Sequence, residues 1–199
     1  MAPKPGSRAI GIAASGGPDY GQLCGAVVRA DRVVEEYAFA RCTTGGVDAT
    51  VACRGLLDRL DRPDARWVLF AGVAPAWFNL IALNDVYAAA DRPVIAIAFE
   101  ESDGLENPLR EHFSGKALDR RLATYHELPA RNPVTVDNAE LWLRTVGIDM
   151  AEATDVLRSF IPDDRDRPEP LRVAKQAAQA GRQQAERFGW GADTKPTDS

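Results

Sequence analysis

Apolar and polar positions alternate along the chain with two periods, and the change from one to the other marks the elements. Residues 8 to 14 (RAIGIAA) are a short apolar run closed by Gly16, Gly17 and Pro18, which predicts a central strand. In LCGAVVRADRVVEEYAFARCT two β-prone runs flank Ala30 and Asp31, predicting an antiparallel hairpin. Asp48 then precedes the helical stretch ATVACRGLLDRL as a candidate N-cap. WVLFAG (67–72) is nearly all apolar, FNLIALNDVYAAA has helical spacing, and PVIAIAF (93–99) is apolar again. Apolar strands separated by a helix predict parallel pairing in a sheet buried on both faces.

Residues 104–133 read as helical or irregular, with Pro108, Pro129 and Pro133 as breakers. ELWLRTVGI (140–148) predicts a further strand, Asp149 caps a helix ending near Phe160, and the prolines of DDRDRPEPLRV open a last helix at about 170–188. Residues 1–7 and 189–199 are expected to be flexible. Neither a repeat nor a long linker interrupts 8–188, so a single domain is expected there. A hairpin followed by parallel βαβ units is an order found in ribonuclease-H-like folds, an α/β mixed sheet with flanking helices, and the pattern alone leaves other mixed α/β folds open.

Charge narrows the choice of partner. The chain carries 24 Lys and Arg against 29 Asp and Glu, a formal net charge of −5, so nucleic-acid binding requires a local basic patch. Lysine occurs only at Lys4, Lys116, Lys175 and Lys195. An acidic, alanine-rich composition with arginine over lysine fits a high-GC, salt-loving source. No apolar run approaches the roughly 20 residues of a bilayer span, and MAPKPGSR lacks the apolar core of a secretory signal, so no membrane partner and a cytoplasmic location are expected. Cys24, Cys42 and Cys53 have no metal-clip or CxxC spacing and read as reduced, buried residues.

Several familiar chemistries are excluded. In GIAASGGPDYG (11–21), Gly17 and Pro18 stand where a phosphate-binding P-loop needs Lys and Ser/Thr, and GxGxxG fails too. His112 and His126 are too far apart to be a helical metal pair, and no GxSxG elbow is present. Glu100 and Glu101 follow an apolar strand, where α/β proteins build sites, although a solvated loop is the plainer role.

Taken together, GGVDAT, AGVAPAWFNLIALNDVY, DRPVIAIAFEES, VGID and above all RPEPLRVAKQAAQA resemble the archaeal endonuclease dU family, long a domain of unknown function and similar to endonuclease V. The resemblance runs in matching order from about 8 to 188. It implies a ribonuclease-H-like fold and a nuclease acting on deoxyuridine in DNA, with Mg or Mn held by carboxylates at neighbouring strand ends. The family's first strand ends in an IDD pattern that falls on Ile12, Ala13 and Ala14, and its fourth ends in an aspartate that falls on Ala71, before Gly72. Alanine cannot ligate a metal, so the expectation is a degenerate member that needs no cofactor, lacks metal-dependent cleavage and keeps a binding role toward DNA containing deaminated bases.

Asp48 remains as a possible ligand or a helix cap. Asp19, Asp48, Glu100 and Glu101 converging on Mg or Mn would instead make a relocated active site. A non-enzymatic protein-interaction scaffold is the third reading. Asn79, Glu169 and Arg172 match the family's motifs: Asn79 reads as a cap for the helix after the fourth strand, Arg172 as the partner of an acid that locks the last helix to the sheet. Trp77 and Phe78 are candidates to stack on a flipped base, with Asn79 and Arg172 beside them as candidate nucleic-acid contacts.

Overall fold

A computed structural model describes residues 3–189. The chain opens with three strands, β1 (Arg8–Ser15), β2 (Tyr20–Arg29) and β3 (Val34–Thr43), followed by α1 (Ala49–Leu60). Next come β4 (Ala65–Ala71), α2 (Leu83–Ala90), β5 (Val94–Ala98), α3 (Glu106–His112) and α4 (Gly115–His126). A second hairpin, β6 (Asn132–Val136) and β7 (Ala139–Val146), precedes α5 (Met150–Phe160) and α6 (Glu169–Arg187). All seven strands share one sheet, in the order β3-β2-β1-β4-β5-β7-β6.

The two-residue period of β1 explains how the sheet is covered. Ile10, Ile12 and Ala14 pack with Leu56 and Leu60 of α1 and Leu83 and Val86 of α2, while Ala9 and Ala13 pack on the opposite side with residues of α5 and α6. Gly11 lies among the latter, and a Cβ there would stand 2.3 Å from the Pro170 carbonyl carbon. Its missing side chain therefore lets the first turn of α6 rest on β1. β2, between these layers, is buried from Gly21 to Val28, whereas β3 at the edge alternates. On the α5 side, Phe160 meets Trp67 edge-on at 6.2 Å, and burying a side chain of this size contributes about 1.5–3 kcal/mol.

The expected hairpin, α1, β4, β5, β7, α5 and α6 are all present, and Asp149 caps α5 by accepting from Glu152 N at 2.8 Å. Four expectations need correction. The helix read over 78–90 begins only at Leu83, because Trp77 and Phe78 turn into the left-handed region and Leu80 and Ile81 enter the core as a loop. Parallel pairing joins β1 to β4 and β4 to β5 but stops there, since β7 runs antiparallel to β5. Pro133, read as a breaker, lies in β6, an edge strand where the missing N–H costs no ladder bond on the solvent side. Finally, of the termini expected to be flexible, 1–2 and 190–199 lie outside the described residues, while 5–7 are tied down: Ala30 N donates to Ser7 O at 2.8 Å and Asp31 N to Pro5 O at 3.0 Å.

The three cysteines are free and buried, and burial raises the thiol of Cys24 to about 12 and that of Cys42 to about 11. Among the described residues, no helix is long and apolar enough to cross a membrane.

Candidate functional site

Parallel neighbours end on the same side of a sheet, so β1 and β4 bring Ala13, Ala14 and Ala71 together. Ala13 and Ala71 pack against Val173 and Ala174 of α6, and Ala14 and Ala71 line an open cleft of about 400 Å³. The Gly72–Pro75 loop, Phe99 and the first turns of α6 form its other walls. Its charged lining is one-sided: Arg167, Arg172 and Lys175, with no carboxylate. In a chain of net charge −5 this is a local basic patch.

Lys175 Nζ donates to the carbonyl oxygen of Ala14 at 2.6 Å. Partial burial, then the nearby charges of Arg167 and Arg182, hold this ammonium below its ordinary value. Arg167 lies with its guanidinium 4.4 Å from the centre of the Phe99 ring. Arg172 does find an acid, but on its own helix: Nε donates to Glu169 at 2.7 Å and Nη1 to Gln176 at 2.8 Å. The expected lock to the sheet comes from other contacts, namely Pro170 against Gly11, Lys175 on Ala14, and Arg182 Nε on Ser15 Oγ at 3.0 Å. Lys175 and Arg167 are thus the site residues that the pattern of the chain did not single out. Lys175 follows Arg172 by three positions, so helical spacing turned it to the same face.

The metal ion that the family resemblance implies does not fit this donor set. The positions expected to ligate it carry methyl groups, and a cation occupies the strand end. A unit charge and a divalent ion about 4 Å apart repel by ~8 kcal/mol at an effective dielectric of about 20. Asp19, Glu100 and Glu101 are exposed, and Asp48 lies outside the cleft lining. Among the described residues, no group of three or more His, Cys, Asp and Glu side chains is placed to hold a metal, so the proposed convergence of Asp19, Asp48, Glu100 and Glu101 does not occur.

Asp48 instead belongs to a polar knot beside the start of α1. Its carboxylate accepts from Thr43 N at 3.0 Å, Thr43 Oγ1 at 2.8 Å and Asn79 Nδ2 at 2.6 Å. Burial works to raise its pKa, but the bonds from Asn79 and Thr43 outweigh it and hold the carboxyl below its ordinary value. Asp48 stands at the N-cap position without making a cap bond. Asn79 supplies that bond, its Oδ1 accepting from Ala49 N at 2.9 Å, while its amide also donates to Thr43 O at 2.8 Å. Asn79 therefore caps α1 rather than the following helix, and at 0% exposure it has no surface to offer a nucleic-acid strand. Thr50 Oγ1 in turn accepts from Ala82 N at 2.9 Å, ahead of α2.

Trp77 and Phe78, at φ 40° and 60°, occupy a conformation that costs side-chain-bearing residues about 1–2 kcal/mol each. Gly45 permits it, since a Cβ there would stand 2.7 Å from the Trp77 ring. Gly45 N also donates to Ala76 O at 3.0 Å, and Arg121 reaches across from α4 to Gly46 O at 3.1 Å. GGVDAT and AWFN, far apart in the chain, thus meet in one structure. The Trp77 ring packs against Phe78, His112 and Phe113 yet remains 52% exposed.

Beyond Gly72 and Ala98 the cleft adjoins a smaller apolar pocket of about 220 Å³ between Ile97, Leu105, Tyr125 and Trp142. Polar groups stand at its rim: Arg131 donates to Ser102 Oγ at 2.6 Å, and Tyr125 Oη accepts from Leu105 N at 3.1 Å.

The mixed sheet, with helices on both faces and a cleft at the ends of β1 and β4, places the chain in the ribonuclease-H-like class. A crystal structure of an Archaeoglobus fulgidus protein of unknown function matches it with a TM-score of 0.78 at 20% identity, over 87% of this chain and 97% of the other. Endonuclease V of Ciona intestinalis, solved with DNA containing an inosine, matches with a TM-score of 0.62 at 10% identity, over 89% and 87%. Within that class the chain belongs to the endonuclease dU family, whose model matches residues 5–181. A "UPF0215 protein" of Pyrobaculum aerophilum is 32% identical over 166 residues, 82% of this chain and 87% of the relative. That of Thermococcus kodakarensis is 28% identical over 79% and 80%.

Proposed function

We propose that this protein binds nucleic acid containing deaminated bases, deoxyuridine foremost, without the metal-dependent cleavage that the resemblance implies for its family. One observation carries the reading: where such cleavage needs carboxylates, Ala14 and Ala71 offer methyl groups and Lys175 places an ammonium on the Ala14 carbonyl. The basic cleft lining supports a phosphate-bearing ligand, and the inosine-containing DNA bound by the Ciona endonuclease V supports the ligand class. The adjoining apolar pocket, with Tyr125 and Trp142, suits an unstacked base, and Trp77 offers an exposed ring on which a base can stack.

The test is to incubate the full chain with uracil- and hypoxanthine-containing oligonucleotides, with Mg²⁺ or Mn²⁺, over a range of salt. Salt-dependent binding that favours the deaminated strand, with no incision, is the expected result. Incision that disappears in Asp48→Ala, or no binding to any strand, overturns the reading.

A further inference from the structure

The cleft carries a sharper statement about its ligand, which rests on the reading of the site as one that binds without cleaving. Its lining combines three basic side chains with no acid. Arg172 is balanced by Glu169, whereas among the described residues neither Lys175 nor Arg167 takes part in an ion pair. Both are nevertheless held in place, Lys175 by the Ala14 carbonyl at 2.6 Å and Arg167 by the Phe99 ring at 4.4 Å. Two cations beside one opening, neither in an ion pair among the described residues, repel each other, and both attract an anion placed between them. The neighbouring positions, Ala14, Ala71, Gly72 and Ala74, are small and leave the opening free for a group with several oxygens.

We infer that this cleft is a metal-independent phosphate site, in which the Lys175 ammonium and the Arg167 guanidinium together bind the oxygens of a phosphate group. Arg offers a planar fork and Lys a movable point charge, a pairing that suits a tetrahedral anion approached from two sides. Lys175 has three donor hydrogens, so its bond to Ala14 leaves two for the ligand. Burial and the charges of Arg167 and Arg182 hold Lys175 below its ordinary value, and an anion bound there would offset both. The phosphate could be a diester in a strand or a free ion, and the two are separable.

The experiment follows the full chain by two-dimensional NMR in excess EDTA, titrated with inorganic phosphate in one arm and with a short oligodeoxythymidylate in the other. Saturable shifts at Ala14, Gly72 and Lys175 amides are expected without divalent metal. Lys175→Ala and Arg167→Ala should each weaken binding about tenfold, and each should lower the salt slope for the oligonucleotide by about 1. Tighter binding of the oligonucleotide assigns the site to the diester, and tighter binding of inorganic phosphate assigns it to the free ion. Lys175→Arg, which keeps charge, should retain most of the affinity, and circular dichroism of each variant verifies folding. The inference is overturned if neither probe gives saturable shifts, if binding requires Mg²⁺ or Mn²⁺, or if the two alanine variants bind as the parent does. Because inorganic phosphate carries no base, this arm stands or falls independently of any preference for deaminated DNA.

Discussion

Asn79→Ala removes the centre of the polar knot and should destabilise the protein strongly. The side chain makes three bonds: it accepts from Ala49 N at 2.9 Å and donates to Thr43 O at 2.8 Å and to Asp48 at 2.6 Å. Loss of an N-cap acceptor costs about 1 kcal/mol. Loss of a bond to a charged carboxylate costs about 1.5–3 kcal/mol, and loss of a neutral one about 0.5–1.5 kcal/mol. Because the site is fully buried, water recovers little of this, and the sum is about 3–5 kcal/mol. For a chain of this size that corresponds to a fall in Tm of roughly 6–20 °C. Urea unfolding followed by tryptophan fluorescence measures it, with Asn84→Ala as control, since Asn84 makes one exposed bond to Glu127 O at 3.2 Å. Asn79→Asp refines the test: it keeps the cap acceptor but sets a second carboxylate against Asp48, so the folded-state pKa of the pair rises. Stability should then be low at neutral pH and recover as pH falls through that raised value. A loss below about 1 kcal/mol, or one equal to that of Asn84→Ala, would refute the assignment of Asn79 and Asp48 to the scaffold.

Two further outcomes are expected. Arg8 and Arg62 hold Glu35 at about 2 instead of 4.5, and Arg62 holds Asp64 at about 2 instead of 3.8. Both carboxylates have folded pKa values below their unfolded ones, so their contribution is present above about pH 4.5 and lost as pH falls toward 2. Unfolding free energy measured across that window should decline, and Glu35→Gln should flatten the decline; an unchanged slope counts against the ion-pair account. Gly11→Ala places a methyl where Pro170 already lies at 2.3 Å and should cost about 1–3 kcal/mol or more by forcing α6 away from β1. Thermal unfolding of the variant would contradict this if its midpoint matched that of the parent.

The elements that were legible in the chain are those whose own period declares them. The β1 run, the β2–β3 hairpin, α1 and α5 bury a face that repeats locally, so composition over ten residues suffices. Where a local signal misled, a tertiary partner overruled it. Residues 78–82 have helical spacing, yet Asn79 is drawn to Ala49 and Asp48 across the sheet end, and the backbone follows. Pro133 looked like a terminator because nothing in sequence marks β6 as an edge. Asp137, between β6 and β7, adopts the left-handed region with φ 54°.

For the cleft, the chain alone determined that methyl groups stand at Ala13, Ala14 and Ala71, and a methyl group cannot ligate an ion in any fold. Only the tertiary structure decided which groups meet there, because Lys175 lies 161 positions from Ala14 and reaches it through the packing of α6 on β1. Likewise the chain left Asp48 open as cap or ligand, and only the folded protein made it the acceptor of Thr43 and Asn79. Residue types limit chemistry locally; which charges share a cleft depends on contacts between distant segments, and no period in the sequence records those.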